Sequence, residues 1–201
     1  MIQLPHWLAL GASLVFAGFF VARSVLSRVR DKVNPYVIDH GKPVEGFIGV
    51  VLQAVVVVLL IYLVAVTVQP ELQHALGMAD GAEDPRLRWT AASLMALAIL
   101  WTGWAQLAMR SSWRVGIPEG QTLPLRTDGP FRLSRNPIFL GVLVFLLGLT
   151  LWSPTVVTGA VLAAAYVAVE VQVRLEEAHL QATQGGAYAA YRGRVRRWLQ
   201  F

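Results

Sequence analysis

The chain has 201 residues, 56% of them hydrophobic and 14% charged, and its mean hydropathy is +0.55. One soluble core of this size cannot hide that much apolar surface, so the composition points to lipid. The net charge of +5 sits at the ends of apolar runs rather than in a basic tail, which excludes a nucleic-acid partner and fits a membrane protein.

A bilayer core of about 30 Å asks for roughly 20 apolar helical residues. In chain order, such segments are Leu4–Val21, Phe47–Val68, Trp89–Met109 and Thr155–Val173. The first lacks the basic start and small-residue cleavage site of a signal peptide and reads as a retained span. A fifth segment, Ile138–Trp152, is shorter and reaches only about 23 Å. Pro137 suits the first turn of this helix and Pro154 the start of the next, with a tight Ser153–Pro154 turn between two antiparallel neighbours.

All but Arg86 and Arg88 of the 17 Lys and Arg fall in three stretches: Arg23–Lys42, Arg110–Arg135 and the segment from Arg174 onward. The positive-inside rule then places the N-terminus outside and the C-terminus in the cytosol, which an odd number of spans satisfies. The expected fold is all-α and integral to the membrane: five transmembrane helices, N-out and C-in, plus a C-terminal amphipathic cytosolic helix. Residues 1–110 hold the first three spans. Residues 111–201 form one unit of loop, helical hairpin and C-terminal helix. In that last helix Leu180, Tyr188, Tyr191, Val195 and Trp198 make an apolar stripe expected to lie on anionic headgroups, with Gly185 and Gly186 breaking the helix.

Absence of cysteine rules out disulfides, thiolate metal sites and a cysteine nucleophile. His6, His40, His74 and His179 match no ligand spacing, so no metal is expected. Two other stretches carry the candidate chemistry. Trp113–Phe139, WRVGIPEGQTLPLRTDGPFRLSRNPIF, is a long Gly-, Pro- and Arg-rich loop, of the kind that is usually functional when ordered. Glu170–Glu177, EVQVRLEE, puts Glu170, Arg174 and Glu177 on one helix face at the end of the last span. The hairpin turn brings these two stretches together on the cytosolic side. Structured connectors and surface ion pairs are the plainer reading of each taken alone.

The run Leu125–Gly141, LRTDGPFRLSRNPIFLG, resembles the signature of the membrane methyltransferases related to isoprenylcysteine carboxyl methyltransferase and phospholipid N-methyltransferase. Glu176-Glu177, then Leu180, Gly185 or Gly186, Tyr188, Tyr191 and Val195, resembles the second half of that pattern. The resemblance covers roughly Trp113 to Trp198. It implies S-adenosylmethionine bound at the cytosolic side and methyl transfer to a lipophilic small molecule or lipid reaching in from the bilayer. By matching positions, Leu125, Gly129, Phe131, Arg135, Asn136, Phe139 and Glu176 line the cofactor site, with Glu177 the alternative to Glu176. Arg135 is expected to pair with the cofactor carboxylate, and Glu176 to hold its ammonium or oppose its sulfonium. Phe131 and Phe139 depart from the tyrosines usual in the family, and Asn136 from its histidine. Gln172 and Arg174 stand where the prenylcysteine enzymes place a substrate-contacting arginine; this departure argues against a prenylcysteine acceptor.

For an amine or hydroxyl acceptor, Glu170 or Glu177 is placed to accept the proton. Two competing readings are a sterol-reductase-like NADPH oxidoreductase, which needs more spans than this chain supplies, and a non-catalytic membrane scaffold. Low lysine against high arginine, alanine and valine points to a GC-rich bacterial genome, hence to an inner-membrane protein whose acceptor is a phospholipid or other small lipophile. Neither the acceptor nor the oligomeric state is written in the sequence.

Overall fold

The structure, a computed structural model, describes residues 5, 7–30, 43–109 and 124–199. Leu4, His6, Lys32, His40, Lys42, Arg110, Arg114 and the first part of the long loop, Trp113–Leu123, lie outside the described residues. Among the described residues the fold is all-helical. The helices are α1 (Leu8–Arg30), α2 (Pro43–Val68), the short α3 (Leu72–Ala75), α4 (Pro85–Met109), α5 (Pro137–Trp152) and α6 (Val156–Arg194), with a 3-10 turn at Gly129–Arg132 ahead of α5. Four of them, α1, α2, α4 and α6, are long and apolar enough to cross a membrane; α5 is apolar but shorter. Exposed aliphatic side chains, such as Val25 on α1, Val57 and Ile61 on α2, and Leu100 on α4, cover the outside. An exposed surface of this kind is what a lipid-facing helix presents.

The elements extend beyond their apolar runs. α1 continues through Ser24, Ser27 and Arg30, well past Val21, and α2 and α4 each begin one turn early, at Pro43 and Pro85. Proline supplies the first residue in both, since a helix start leaves its N–H unused in any case. Pro137 opens α5 in the same way. Pro154 does not open α6, contrary to the sequence reading. The cap is Thr155, whose side chain accepts from the Thr158 N–H while the Thr158 hydroxyl accepts from the Thr155 N–H. That reciprocal box satisfies two end donors at once, and Pro154 is left in the turn.

α4 and α5 run antiparallel at very short range. A Cβ on Gly148 would lie 2.8 Å from Met95 Cγ and 3.1 Å from the Ala91 carbonyl oxygen, and one on Gly141 would collide with the Thr102 hydroxyl. The two glycines, seven apart, therefore form a smooth strip on α5 against which Ala91, Met95 and Thr102 of α4 pack. α1 crosses beside this pair, and the Phe16 ring stacks on Phe145 with centroids 4.2 Å apart. α6 returns along α5 and is flanked by α2.

The end carrying the hairpin turn is locked by a buried polar network. Tyr62 Oη of α2 meets Ser153 Oγ, which also bonds Gln73 Oε1 of the α3 segment at 2.8 Å. Thr155 Oγ1 donates to Tyr62 Oη at 3.2 Å, and Thr158 Oγ1 donates to the Ser153 carbonyl at 2.6 Å. Nearby, the Arg88 guanidinium lies 4.8 Å from the centre of the Trp152 ring. The apolar part of α6 ends at Val173, but the helix does not. It runs on to Gly185, whose backbone (φ 49°, ψ −118°) breaks it, and a second piece reaches Arg194. Tyr188 and Tyr191 of that second piece, and Val195 just beyond it, are buried against Leu125 and Leu180. The stripe read from the sequence as facing headgroups is thus packed on protein, because Leu125, ahead of the 3-10 turn, and Leu180 of α6 supply apolar partners.

Gly141→Ala is expected to destabilise the fold by about 1–3 kcal/mol through overpacking. Thr102→Ala in the same chain, by removing the obstructing hydroxyl, should restore part of that loss. Thermal unfolding in detergent of the single and double variants is the check; equal stability of wild type and Gly141→Ala would refute the close α4–α5 contact.

Candidate active site at the base of the helical hairpin

The segment before α5 is held by its backbone. Gly129 has φ +56°, a left-handed conformation that a side chain disfavours, and this lets the chain turn under α4. A Cβ there would approach Ala108 and Trp104 of α4 at 3.6 and 3.7 Å. Phe131 is buried, and its carbonyl accepts the Tyr191 hydroxyl at 2.7 Å. Ser134 Oγ accepts the Asn136 N–H at 3.1 Å and donates to the Arg197 carbonyl at 3.1 Å. Trp101 Nε1 of α4 donates to the Pro137 carbonyl at 2.7 Å, fixing the first turn of α5 against α4.

One carboxylate gathers this end of the molecule. Arg135 approaches Glu177 Oε1 with Nη2 at 2.8 Å and Nε at 3.3 Å, while its Nη1 donates to the carbonyls of Val195 at 2.9 Å and Arg192 at 3.3 Å. From the other side Arg197 Nη2 meets Glu177 Oε2 at 2.9 Å, and Arg197 Nε meets Oε1 at 3.2 Å. Asn136 Nδ2 adds a contact to Glu177 Oε1 at 3.4 Å and one to the Arg197 carbonyl at 3.3 Å. A backbone bond from Arg135 N–H to the Arg196 carbonyl, 3.0 Å, completes the clamp. Burial pushes the Glu177 carboxyl up, but the hydrogen bonds and charges of Arg197 and Arg135 outweigh it and hold it below the usual carboxylate range. The same pairing raises the Arg197 guanidinium further.

Glu176 is next in the chain and opposite in circumstance, because adjacent helical residues point about 100° apart. Its partner is Gln172, whose Nε2 donates to Oε1 at 3.0 Å; among the described residues no cation forms an ion pair with it. Burial pushes its carboxyl up to about 7, only partly opposed by the Gln172 hydrogen bond. Glu170 sits nearly two turns back along α6, 3.4 Å from Arg174 and 3.8 Å from Arg197. Arg174 is itself largely exposed. Leu125 packs on the Tyr188–Tyr191–Val195 cluster, and Phe139 is half-buried on the first turn of α5.

The structure therefore joins Leu125, Phe131, Arg135, Asn136 and Glu177, through the C-terminal segment, into one assembly. Glu176 and Gln172 form a separate pair on the next face of α6. The sequence reading gives Arg135 a ligand carboxylate. In the structure Glu177 and two backbone carbonyls take its donors instead. Gly129 serves the turn beneath α4. Arg197 and Ser134 are missed by the sequence reading: within GRVRRW nothing separates the arginine that folds back from those facing outward. Tyr188 is missed as a polar group too. It is buried with a hydroxyl that has no partner, and burial together with the Glu177 charge raises its pKa.

These features define a helical membrane protein with an acid- and arginine-lined site where the polar end of its helical hairpin meets the C-terminal segment. Residues 87–185, from α4 to the break in α6, match the family model described as phospholipid methyltransferase, a match over just under half of the chain that is consistent with a membrane methyltransferase family. No curated protein and no solved structure matches it. The family match supports an enzyme acting on a lipid-related substrate, and it favours methyl transfer over the sterol-reductase-like and scaffold readings.

Glu177→Gln leaves two arginines facing a neutral amide and is expected to weaken docking of residues 195–198 by about 3 kcal/mol. Amide hydrogen exchange in that segment measures it. Because the folded Glu177 value is depressed, its stabilisation is full above the ordinary 4.5 and is lost as pH falls through the lower folded value. Protection of residues 195–198 should therefore collapse on acidification in the wild type and show no such step in the variant.

Proposed function

We propose that the chain transfers a methyl group from S-adenosylmethionine to a lipophilic acceptor at the cytosolic face of a bacterial inner membrane. In this reading α1, α2, α4, α5 and α6 make five spans, N-out and C-in. The basic residues Arg23, Arg28 and Arg30, together with those of the clamp and the C-terminal segment, occupy the inner side, as the positive-inside rule requires. Residues 111–201 carry the cofactor site, and residues 1–110 supply spans around it.

The observation that carries the proposal is Glu176: a partly buried carboxylate that among the described residues has an amide for a partner and no cation, its pKa raised to about 7. Such a group gains most from a cationic ligand, and S-adenosylmethionine presents both an ammonium and a sulfonium. The unpartnered, buried Tyr188 hydroxyl is a second polar group suited to a polar ligand. On both grounds the residues fit the cofactor. Glu176 would hold its positive charge, with Leu125, Phe131, Asn136 and Phe139 as apolar and amide walls.

S-adenosylmethionine supplies an electrophilic methyl group on a sulfonium. The protein's part is alignment and exclusion of water, and alignment can contribute several of the roughly 7–11 kcal/mol available to well-oriented reactants. The Arg135–Glu177–Arg197 clamp is a positioning device here: it fixes the start of α5 and the C-terminal segment around the Glu176 face. Glu177 is ill suited to accept a proton, since both its oxygens are held by arginines. Glu170 stays assigned to that role for an amine or hydroxyl acceptor, with Gln172 and Arg174 beside it toward the lipid; a carboxylate or thiolate acceptor needs no base.

Calorimetric titration of purified protein with S-adenosylmethionine tests this directly. Binding should favour the ionised Glu176, so affinity should fall about tenfold per pH unit below pH ~7 and level off above it. Glu176→Gln should lose at least about tenfold in affinity at pH 8 and flatten the pH profile. Failure of the wild type to bind S-adenosylmethionine would overturn the proposal. Glu170→Gln with full activity on an amine acceptor would remove Glu170 from the mechanism.

A further inference from the structure

The C-terminal piece brings arginines back to the edge of the apolar bundle. α6 leaves its apolar run at Val173 and extends about 18 Å to Gly185, and the second piece, from Gly186 to Arg194, covers about 12 Å. The return ends against the last apolar turns: Arg197 Nη1 lies 3.8 Å from Oε2 of Glu170, three residues before Val173. Hydrogen bonds tie this end of the chain to the segment ahead of α5. Tyr191 Oη donates to the Phe131 carbonyl at 2.7 Å, and the Arg135 N–H donates to the Arg196 carbonyl at 3.0 Å. Arg132, Arg192, Arg194 and Arg196 therefore stand on neighbouring stretches of chain, and the clamp uses none of their guanidinium groups.

All four are exposed, and among the described residues none of them forms an ion pair. Arg194 Nε donates to the Ala190 carbonyl at 3.3 Å, a neutral partner that leaves the charge uncompensated. Inward positions alternate with these arginines: Tyr191 and Val195 are buried, and Arg197 turns back to Glu177. Nearby acids do not balance the group. Glu170 and Glu177 are held by Arg174, Arg135 and Arg197, Glu176 is bonded to Gln172, and Asp128 is a single exposed carboxylate against four arginines.

On a soluble surface water would satisfy such arginines. Here they return to the level at which α6 leaves its apolar run, where a bilayer presents its phosphates. Guanidinium groups pair well with phosphate oxygens, and several arginines near an anionic leaflet act together. The apolar stripe of this piece is packed on protein, so the face left for the bilayer is the charged one. Leu133, next to Arg132, is 42% exposed and gives that face an apolar contact as well. We infer that Arg132, Arg192, Arg194 and Arg196 form a docking surface for anionic phospholipid headgroups, which holds the C-terminal piece against the surrounding leaflet. The occupant is the lipid surface rather than a soluble anion, because the surface stands at the edge of membrane-crossing helices. The inference rests on membrane embedding and not on methyl transfer.

The chain has no cysteine, so one introduced cysteine can be labelled alone. Gly193→Cys places it between Arg192 and Arg194, where a Cβ meets nothing within 4 Å. The full chain, carrying a fluorophore there, is reconstituted in nanodiscs of phosphatidylcholine with or without phosphatidylglycerol, and quenching by the neutral, water-borne quencher acrylamide is measured. Phosphatidylglycerol should lower the quenching about twofold or more at low salt, and ~1 M salt should abolish the difference. Arg132→Gln, Arg192→Gln and Arg196→Gln combined should remove the lipid effect, and each alone should reduce it in part, one arginine near an anionic surface changing the partition about fivefold. Amide exchange of residues 195–198 should stay as in the wild type, since Arg135, Glu177 and Arg197 are untouched. The single variants keep the inference testable if the triple one unfolds, and a label at the exposed Ala189→Cys repeats the measurement if Gly193→Cys perturbs the helix. Equal quenching in the two lipids, or an undiminished lipid effect in folded variants, overturns the inference. Equal shielding by soluble glycerol phosphate in detergent overturns it too, and marks a free-anion site instead. Titration of the same samples with S-adenosylmethionine bears on methyl transfer alone, so the two readings fail separately.

Discussion

The geometry of the site end depends on one carboxylate shared by two guanidinium groups. Glu177 ties together the start of α5, the polar extension of α6 and the C-terminal segment, which are 42 and 20 residues away from it in the chain. Two arginines brought together without it would repel each other in a partly dehydrated setting, so the acid is required by the very positions it defines. The path of the chain follows from this demand. Arg197 can return to Glu177 only if α6 reverses, and the reversal falls at Gly185. From Glu177 to Gly185 is about 12 Å of helix, and Gly186 to Arg194 covers about the same distance back. A left-handed residue at the midpoint is what that round trip needs, and glycine adopts it without steric cost.

Consecutive glutamates then divide the work. Glu177 is neutralised from within the fold and kept ionised; Glu176 is partly buried beside an amide and pushed toward neutrality. Two identical side chains differ because a helix turns by 100° between them, which puts one in the clamp and the other on the face beyond it. Separation of paired acids by environment is the pattern from which acid, base and binding roles are assigned. It also explains why an arginine clamp and a carboxylate with no ion-pair partner among the described residues can stand side by side. The clamp consumes its own charge, so Arg135 and Arg197 do not satisfy Glu176.

Much of this was legible in the residues, and the parts that were not share a cause. The apolar segments, Pro137 at the head of α5, the hairpin and the break near Gly185 all came from local rules that tertiary packing had no reason to override. Contact between the Arg-Asn-Pro run and the Glu-Glu pair followed from topology, because a tight hairpin makes the far ends of its helices neighbours. What the sequence could not state is which acid meets which base. Arg135 had several candidate carboxylates, and only the fold-back of the C-terminal segment, which adds Arg197, decides for Glu177. The amphipathic stripe at Tyr188, Tyr191 and Val195 was read correctly as an apolar face but placed on headgroups rather than on protein, since periodicity reports that a face is apolar and not what covers it. The small-residue strip of α5 was invisible as packing because Gly141 and Gly148 read equally well as ordinary membrane-helix glycines.

The two ends of the bundle differ in how fully their buried polar groups are matched. At the hairpin-turn end Tyr62, Gln73, Ser153, Thr155 and Thr158 close on one another, and each hydroxyl has a partner. The buried side-chain atoms left without partners among the described residues, Thr102 Oγ1, Gln106 Nε2 and Tyr188 Oη, all belong to the other half. A fold that can satisfy five polar side chains inside a membrane-spanning bundle is not forced to leave three unsatisfied. Their confinement to one end is what a ligand-binding half requires and a purely structural half does not. The unmatched polar atoms thus share a half of the bundle with Glu176, while the far end closes its own polar network and supplies rigidity.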